Sequence, residues 1–133
     1  MQRVWPMIAV SDVRRSSSWY QELLCASQAL PESTDFDQVL STDGEVLLCL
    51  HRVAPSDPSG GHRWRAFQGA TPSSPSGMML WFVVNDFEAA WERAQALRVP
   101  VDEPPNINNG TGLRAFVVRD PDGYFVAVNE SGA

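Results

Sequence analysis

The chain has 133 residues, 44% of them hydrophobic, and a formal net charge of −6, which suits one compact domain, or two small repeats sharing a core. That charge repels phosphate backbones and anionic lipid, so nucleic acid and membrane surfaces are excluded as natural partners. No apolar run approaches the ~20 residues that a membrane-spanning helix needs, and MQRVWPMIAV lacks the apolar core and cleavage site of a secretion signal, so a cytoplasmic protein is expected.

In chain order, the first strand-like segment is Met7-Ile-Ala-Val10, which runs into Ser11-Asp12. Short oxygen-bearing side chains at such a place cap the free N–H groups of a starting helix. Val13, Tyr20, Leu23 and Leu24 then fall on one side of a helix of roughly 12 residues. Cys25 and Cys49 both lie in apolar segments and read as free thiols of a reducing compartment. Ser27 to Glu32 is a weak strand and Phe36 to Thr42 a better one. Asp43-Gly44 marks a hairpin, and Glu45 to Arg52 is a strong apolar strand.

Ala54 to Gly77 is rich in proline, serine and glycine and reads as a connector, of a length that is often functional. Its segment Arg63-Trp64-Arg65-Ala66-Phe67 either folds over a ligand as a lid or pins a long linker to the surface, and His62 beside it is solvated by default. The pattern then starts again. Leu80-Trp-Phe-Val-Val84 meets Asn85-Asp86, and a helix follows with Phe87, Ala90, Trp91, Ala94 and Leu97 on its apolar side. Pro100 to Asn106 is a weak strand interrupted by prolines, Asn108-Asn109-Gly110 turns the chain, and Leu113 to Val118 is a strand. Asp120-Pro-Asp-Gly123 turns it again before the closing strand, Tyr124 to Glu130. The order is βαβββ twice: an α+β domain over 1–133, with repeat one at 3–53, the connector at 54–77 and repeat two at 78–130. No serine or cysteine has a base partner at motif spacing and no glycine-rich phosphate loop is present, so no nucleophilic triad is expected.

Three segments, PMIAVSDVRRSSSWYQELL, MLWFVVNDFEAAWERAQAL and DPDGYFVAV, occur in order at the spacing of a duplicated βαβββ unit. In these the chain resembles the vicinal oxygen chelate superfamily of glyoxalase I, extradiol dioxygenases, fosfomycin-resistance enzymes and bleomycin-resistance proteins. The resemblance spans nearly the whole chain, and the DPDG turn before the final strand is its most specific part. It implies two repeats forming a cupped, barrel-like mixed sheet with the helices outside. In the family's enzymes it also implies one divalent metal, held from the first and fourth strands of each repeat. Carried over, the first-strand positions fall on Trp5 and Met79, five residues before Val10 and Val84. The fourth-strand positions fall on Leu48 and on Ala127, four residues after Gly123, where family enzymes usually carry glutamate. None of these side chains is a ligand for a hard cation. Among their neighbours Pro6, Leu47, Cys49, Met78, Leu80, Val126 and Val128, only Cys49 has a donor. No metal and no cofactor are therefore expected, and no catalytic residue is assigned.

Strand alternation describes the cup instead. Trp5, Met7 and Ala9 share one face, as do Met79, Trp81 and Val83. Val46, Leu48 and Leu50 join them, with Ala115, Val117, Phe125, Ala127 and Asn129 from the closing strands. Ile8, Val10, Leu80, Phe82, Val84 and Phe116 pack under the helices, and His51 points to the face opposite Leu48 and Leu50. The candidate ligand-binding set is Trp5, Met7, Leu48, Leu50, Trp64, Met79, Trp81, Ala115, Phe125, Ala127 and Asn129, with Asn129 supplying one orienting hydrogen bond. Indole rings and thioethers beside small alanines suit a pocket for a flat aromatic or hydrophobic molecule, although the same residues also suit a filled core. The leading expectation is a metal-free protein that sequesters a hydrophobic or aromatic molecule such as an antibiotic or secondary metabolite. By analogy with bleomycin-resistance proteins, it is expected to act as a homodimer. The alternatives are a lyase, isomerase or dioxygenase-like enzyme with a non-standard site, using Asn129, Arg114 or His62, and a dimeric interaction module.

Overall fold

The structure is a computed structural model that describes residues 1–53, 65–67, 71–72 and 77–132. The chain divides into two compact units, Met1–Gln21 with Ala26–Pro72 and Glu22–Cys25 with Ser73–Ala133. The elements are β1 (Met7–Val10), α1 (Val13–Leu24), β2 (Ser27–Gln28), β3 (Phe36–Leu40), β4 (Val46–Arg52), a single 3-10 turn (Arg65–Phe67), β5 (Leu80–Val84), α2 (Phe87–Ala96), β6 (Val101–Ile107), β7 (Arg114–Arg119) and β8 (Phe125–Glu130). The strands form two four-stranded sheets of the same topology, β1-β4-β3-β2 and β5-β8-β7-β6. In each sheet the first and fourth strands of the repeat pair parallel and the other neighbours pair antiparallel. The repetition seen in the residues is thus a repetition of βαβββ topology.

The same local chemistry starts each helix. The Asp12 carboxylate accepts the Arg15 N–H at 3.0 Å, and the Asp86 carboxylate accepts the Ala89 N–H at 3.0 Å. Both satisfy an orphan donor of the first turn. Cys25, just past α1, and Arg98, two residues past the end of α2, adopt φ of 54°, a left-handed conformation more usual for glycine. The turns expected at Asp43-Gly44 and Asp120-Pro-Asp-Gly123 are present, with φ of 81° at Gly44 and 91° at Gly123. In the third expected turn the left-handed glycine is Gly112, at φ 73°, and not Gly110. The edge strand β6 is exposed along its length, which accommodates Pro104 and Pro105 where no ladder N–H is needed.

Asp120 shows why the turn before β8 has this composition. Its buried carboxylate accepts the backbone N–H groups of Asp122 at 2.9 Å and Tyr124 at 2.8 Å, while Gly123 donates to the Asp120 carbonyl at 2.9 Å. Asp120→Ala is expected to leave the buried Tyr124 N–H without this acceptor. The cost is about 1–3 kcal/mol of stability, to be read as a lowered urea midpoint at unchanged slope.

Each sheet has a helix-covered face. In the second unit Phe116 lies under α2, 5.5 Å from the Phe87 ring and 5.0 Å from the Trp91 ring, with Phe82, Val118, Val126 and Val128 buried on the same side. In the first unit the α1-facing side carries Ile8, Val10, Val39, Leu48 and Leu50. It also carries Asp37, which is fully buried. The Asp37 carboxylate accepts hydrogen bonds from Arg14 at 2.6 Å, Ser17 at 2.7 Å and the N–H groups of Leu30 and Gln38, both at 2.8 Å. Burial alone would raise its pKa, but the four donors outweigh it and hold the carboxyl below its ordinary value. Among the described residues no helix is long and apolar enough to cross a membrane.

Candidate functional site

The helix-free face of the second sheet is a trough whose shape follows from side-chain size along its register. Arg119 stands beside Phe125, Val117 beside Ala127 and Trp81, and Ala115 beside Asn129 and Val83. At Ala115, Val117 and Ala127 the central strands β7 and β8 supply small side chains, so the floor there is low and covered, with Ala127 only 2% exposed. The edge strand β5 and the residue before it supply large apolar side chains that stand clear of the floor: Met79 is 40% exposed, Trp81 50% and Val83 60%. Opposite them β6 brings Glu103 beside Val117 and Asn106 beside Ala115. An open depression of about 320 Å³ lies on this face, lined by Gly77, Met78, Met79, Asp102, Glu103, Val117 and Phe125. That volume is at the small end of the range for ligand sites.

Polar groups give one end of the trough a direction. The Arg119 guanidinium lies over the Phe125 ring, 3.6 Å from its centroid, a cation–π contact. It also donates to the Gly123 carbonyl at 3.1 Å and pairs with Asp102 at 3.6 Å. A planar group entering here meets the thioethers of Met78 and Met79 and the Phe125 ring, flanked by the Asp102 and Glu103 carboxylates. The Asn129 amide is committed to the sheet, since its Nδ2 donates to the Phe82 carbonyl at 3.1 Å. Its Oδ1 is the atom left to accept from a ligand. Arg114, a candidate polar group for catalysis, belongs to the α2 side of the sheet. Its guanidinium meets Glu130 at 3.2 Å and Glu88 at 3.2 Å, and its backbone N–H donates to Glu130 at 2.8 Å. The Glu130 carboxyl is held below its ordinary pKa, first by the Arg114 backbone N–H and then by the guanidinium. The first carboxylate after the DPDG turn therefore clamps β7 to β8 and does not reach the trough.

The first sheet corrects the expected site in three places. Met7 is in register with Cys49 and Ala9 with His51, while Gln38 pairs with Cys49 and Phe36 with His51. The helix-free face of this sheet is therefore Met7, Ala9, Phe36, Gln38, Cys49 and His51. Leu48 and Leu50 lie on the other face with Ile8, Val39 and Asp37, under α1, and are removed from the ligand-binding set. His51, expected to point away from Met7, shares its face. Trp5 precedes β1 and stands outside the ladder, half-exposed beside Arg3, Val4, Glu45 and Val46 at an open depression of about 490 Å³. Trp64 and His62 lie outside the described residues. Met7, Met79, Trp81, Ala115, Phe125, Ala127 and Asn129 keep helix-free positions, the last five within one sheet.

Cys49 is related to Met7 as Ala127 is to Trp81, so the fourth-strand position of the first repeat is Cys49 and not Leu48. The family's metal positions in this chain are then Trp5 with Cys49 and Met79 with Ala127. Neither pair contains an imidazole or carboxylate. Among the described residues no group of three or more His, Cys, Asp or Glu side chains is placed to hold a metal. This donor set does not fit the hard divalent cation of the family's enzymes.

Asp102, Glu103 and Arg119 are the trough residues that sequence reasoning missed. Glu103 and Arg119 are recoverable from strand alternation once the partner strands are known, but the prolines of β6 conceal its period. A sequence model of the Glyoxalase/Bleomycin resistance protein/Dioxygenase superfamily matches residues 3–128. Among solved structures, a protein of unknown function from Agrobacterium tumefaciens is 27% identical and superposes with a TM-score of 0.69, covering 98% of this chain and 94% of that one. A lactoylglutathione lyase from Agrobacterium tumefaciens is 17% identical with a TM-score of 0.67, covering 98% and 95%. The fosfomycin resistance protein FosX from Listeria monocytogenes is 13% identical with a TM-score of 0.67, covering 98% and 93%. At such identities the last two likenesses speak for the fold alone. No sequence among curated proteins matches the chain.

Proposed function

The chain belongs to the Glyoxalase/Bleomycin resistance protein/Dioxygenase superfamily, and from that premise we propose that it is a binding protein, sequestering a hydrophobic or aromatic small molecule without the family's divalent ion. The observation that carries this reading is the trough of the second sheet, in which small floor residues meet exposed indole, thioether and aliphatic walls. A filled core would bury Trp81 and Val83, and both remain half-exposed or more. An antibiotic or secondary metabolite with a planar apolar body is the class of ligand that such a surface fits. Burial of its rings at ~25 cal/mol per Å² supplies affinity without any chemical step.

By analogy with the family's bleomycin-resistance proteins, a homodimer is part of this proposal. The net charge of −6 and two free cysteines, one exposed and one buried, support a reducing cytoplasmic setting without nucleic-acid or membrane partners.

The test is a titration of the purified protein with a panel of planar aromatic antibiotics and metabolites, read by tryptophan emission and by calorimetry. Saturable binding at one site per chain by at least one class is expected. Emission that changes only linearly, with no heat of binding across the panel, would contradict the reading.

A further inference from the structure

Strand β6 is built so that its polar residues meet the trough. Glu103 is in register with Val117 and Asn106 with Ala115, so three steps along β6 are matched to two along β7. In a regular strand, residues three apart leave opposite faces. The bulge at Pro104-Pro105 places Glu103 and Asn106 on the same one, and bulges commonly re-aim a side chain beside a site in this way. Two neighbouring rows result. Glu103, Val117, Ala127 and Trp81 cross the sheet in one, and Asn106, Ala115, Asn129 and Val83 in the next. Each row is ~14 Å long at ~4.8 Å per strand. A carboxylate thus faces an indole across a floor of valine and alanine.

The polar groups that these rows offer to a ligand are acceptors. Asn129 is 4% exposed, and its Nδ2 donates to the Phe82 carbonyl at 3.1 Å. The Asn106 Nδ2 donates to the Pro104 carbonyl at 2.7 Å. Since a carbonyl only accepts, each amide is fixed with its nitrogen on the backbone and Oδ1 as the branch left for a ligand. The charges agree with the amides. Arg119 is turned to its own surroundings, the Gly123 carbonyl, the Phe125 ring and the Asp102 carboxylate. Asp102 and Arg119 answer each other. Glu103 lines the depression with Met79, Val117 and Phe125; it is exposed and, among the described residues, holds no ion pair.

We propose that the trough selects planar cations, flat aromatic molecules whose edge carries a protonated nitrogen with two or more N–H donors, such as an amidinium. The apolar body lies over Val117 and Ala127 against Trp81, and the N–H edge meets Glu103, a charge-assisted pair that a carboxylate can accept with both oxygens. An anion of the same shape meets a like charge and acceptors with no hydrogen to share, which excludes it. The chain's net charge of −6 favours the approach of a cation. This inference rests on the reading of the trough as a ligand site, and adds to it the charge and the donors of the ligand.

The experiment is a calorimetric titration of the protein with three naphthalenes of one shape, 2-naphthamidine, 2-naphthamide and 2-naphthoate, whose head groups are cationic, neutral and anionic at neutral pH. The amidine is expected to bind about tenfold tighter than the amide, the lower end for a charge-assisted hydrogen-bonded pair, and the naphthoate not to saturate. Added salt should narrow the preference. Glu103→Gln, a change at an exposed edge position, is expected to bring amidine and amide within about twofold of each other, since the charge is gone and the shape is kept. Circular dichroism establishes that the variant folds. Equal affinities for amidine and amide in the wild type, both lost in Trp81→Ala, would overturn the charge selection and leave the trough as a binding site. An amidine preference that survives Glu103→Gln, or naphthoate as the tightest of the three, would also overturn it. Absence of binding by all three would overturn it as well, while the panel of planar antibiotics and metabolites reports separately on the trough.

Discussion

Asp37→Ala is expected to destabilise the first unit by about 3–5 kcal/mol, the range for removing one partner of a buried, hydrogen-bonded ion pair. The carboxylate is fully buried, and its removal strips an acceptor from Ser17, from the backbone N–H groups of Leu30 and Gln38, and from Arg14, whose side chain is itself only 30% exposed. The Ser17 hydroxyl is buried with the carboxylate and four donors lose one acceptor together, so the loss exceeds that of a single ~1 kcal/mol hydrogen bond. Against a typical domain stability of ~5–15 kcal/mol, a thermal midpoint lowered by about 10 °C or more is expected.

The same group gives the protein an acid limit whose sign follows from its lowered pKa. The contribution of Asp37 is fully present above the unfolded aspartate value near ~4 and is lost as the pH falls through the lower folded value. Wild-type stability should therefore include a decline below about pH 4 that Asp37→Asn lacks. Urea unfolding of both proteins between pH 3 and pH 7, on the order of one unit apart, checks this. Parallel curves for the two would show that Asp37 does not carry the acid dependence.

Trp81→Ala is expected to reduce the affinity of a bound aromatic ligand by more than about tenfold. The indole stands 50% exposed beside Ala127, and covering about 100 Å² of such a ring contributes about 2.5 kcal/mol. Because the ring is already half in solvent on an edge strand, the substitution should change stability by less than about 1 kcal/mol and leave the assembly state intact. Calorimetry is the appropriate readout, since the variant loses its own reporter. A parallel Trp5→Ala should have little effect, because Trp5 stands outside the ladder of its sheet. The opposite ranking would move the site to the N-terminal segment.

The residues that made the fold legible were those with local, mandatory roles. Asp12 and Asp86 cap helices wherever they stand, Asp120 and Gly123 dictate a turn from their own backbone chemistry, and the repeat of strand, cap and helix is visible without knowledge of any partner. The DPDG turn also fixed the parity of β8, so Phe125, Ala127 and Asn129 were assigned to their observed face. Strand β4 had no such anchor. Its residues Leu47, Leu48, Cys49 and Leu50 are apolar on both faces, because one face lies under α1 and the other is also covered, and alternation carries no information there. Only the pairing of Met7 with Cys49 decides it, and that pairing spans more than forty residues of chain. Asp37 was invisible for a related reason. A lone carboxylate in FDQVL reads as a solvent-facing residue until Arg14 and Ser17 are known to lie above it.

The most direct test of the central claim, that the helix-free face of the second sheet binds a small planar molecule, is a map of amide chemical shifts during titration with the tightest compound of the panel. The account predicts saturable shifts concentrated at Met79, Trp81, Val117, Phe125 and Ala127, with the α2-facing residues Phe82, Phe116 and Val128 little changed. Shifts confined to the first sheet or to α2, with this face silent, would contradict it.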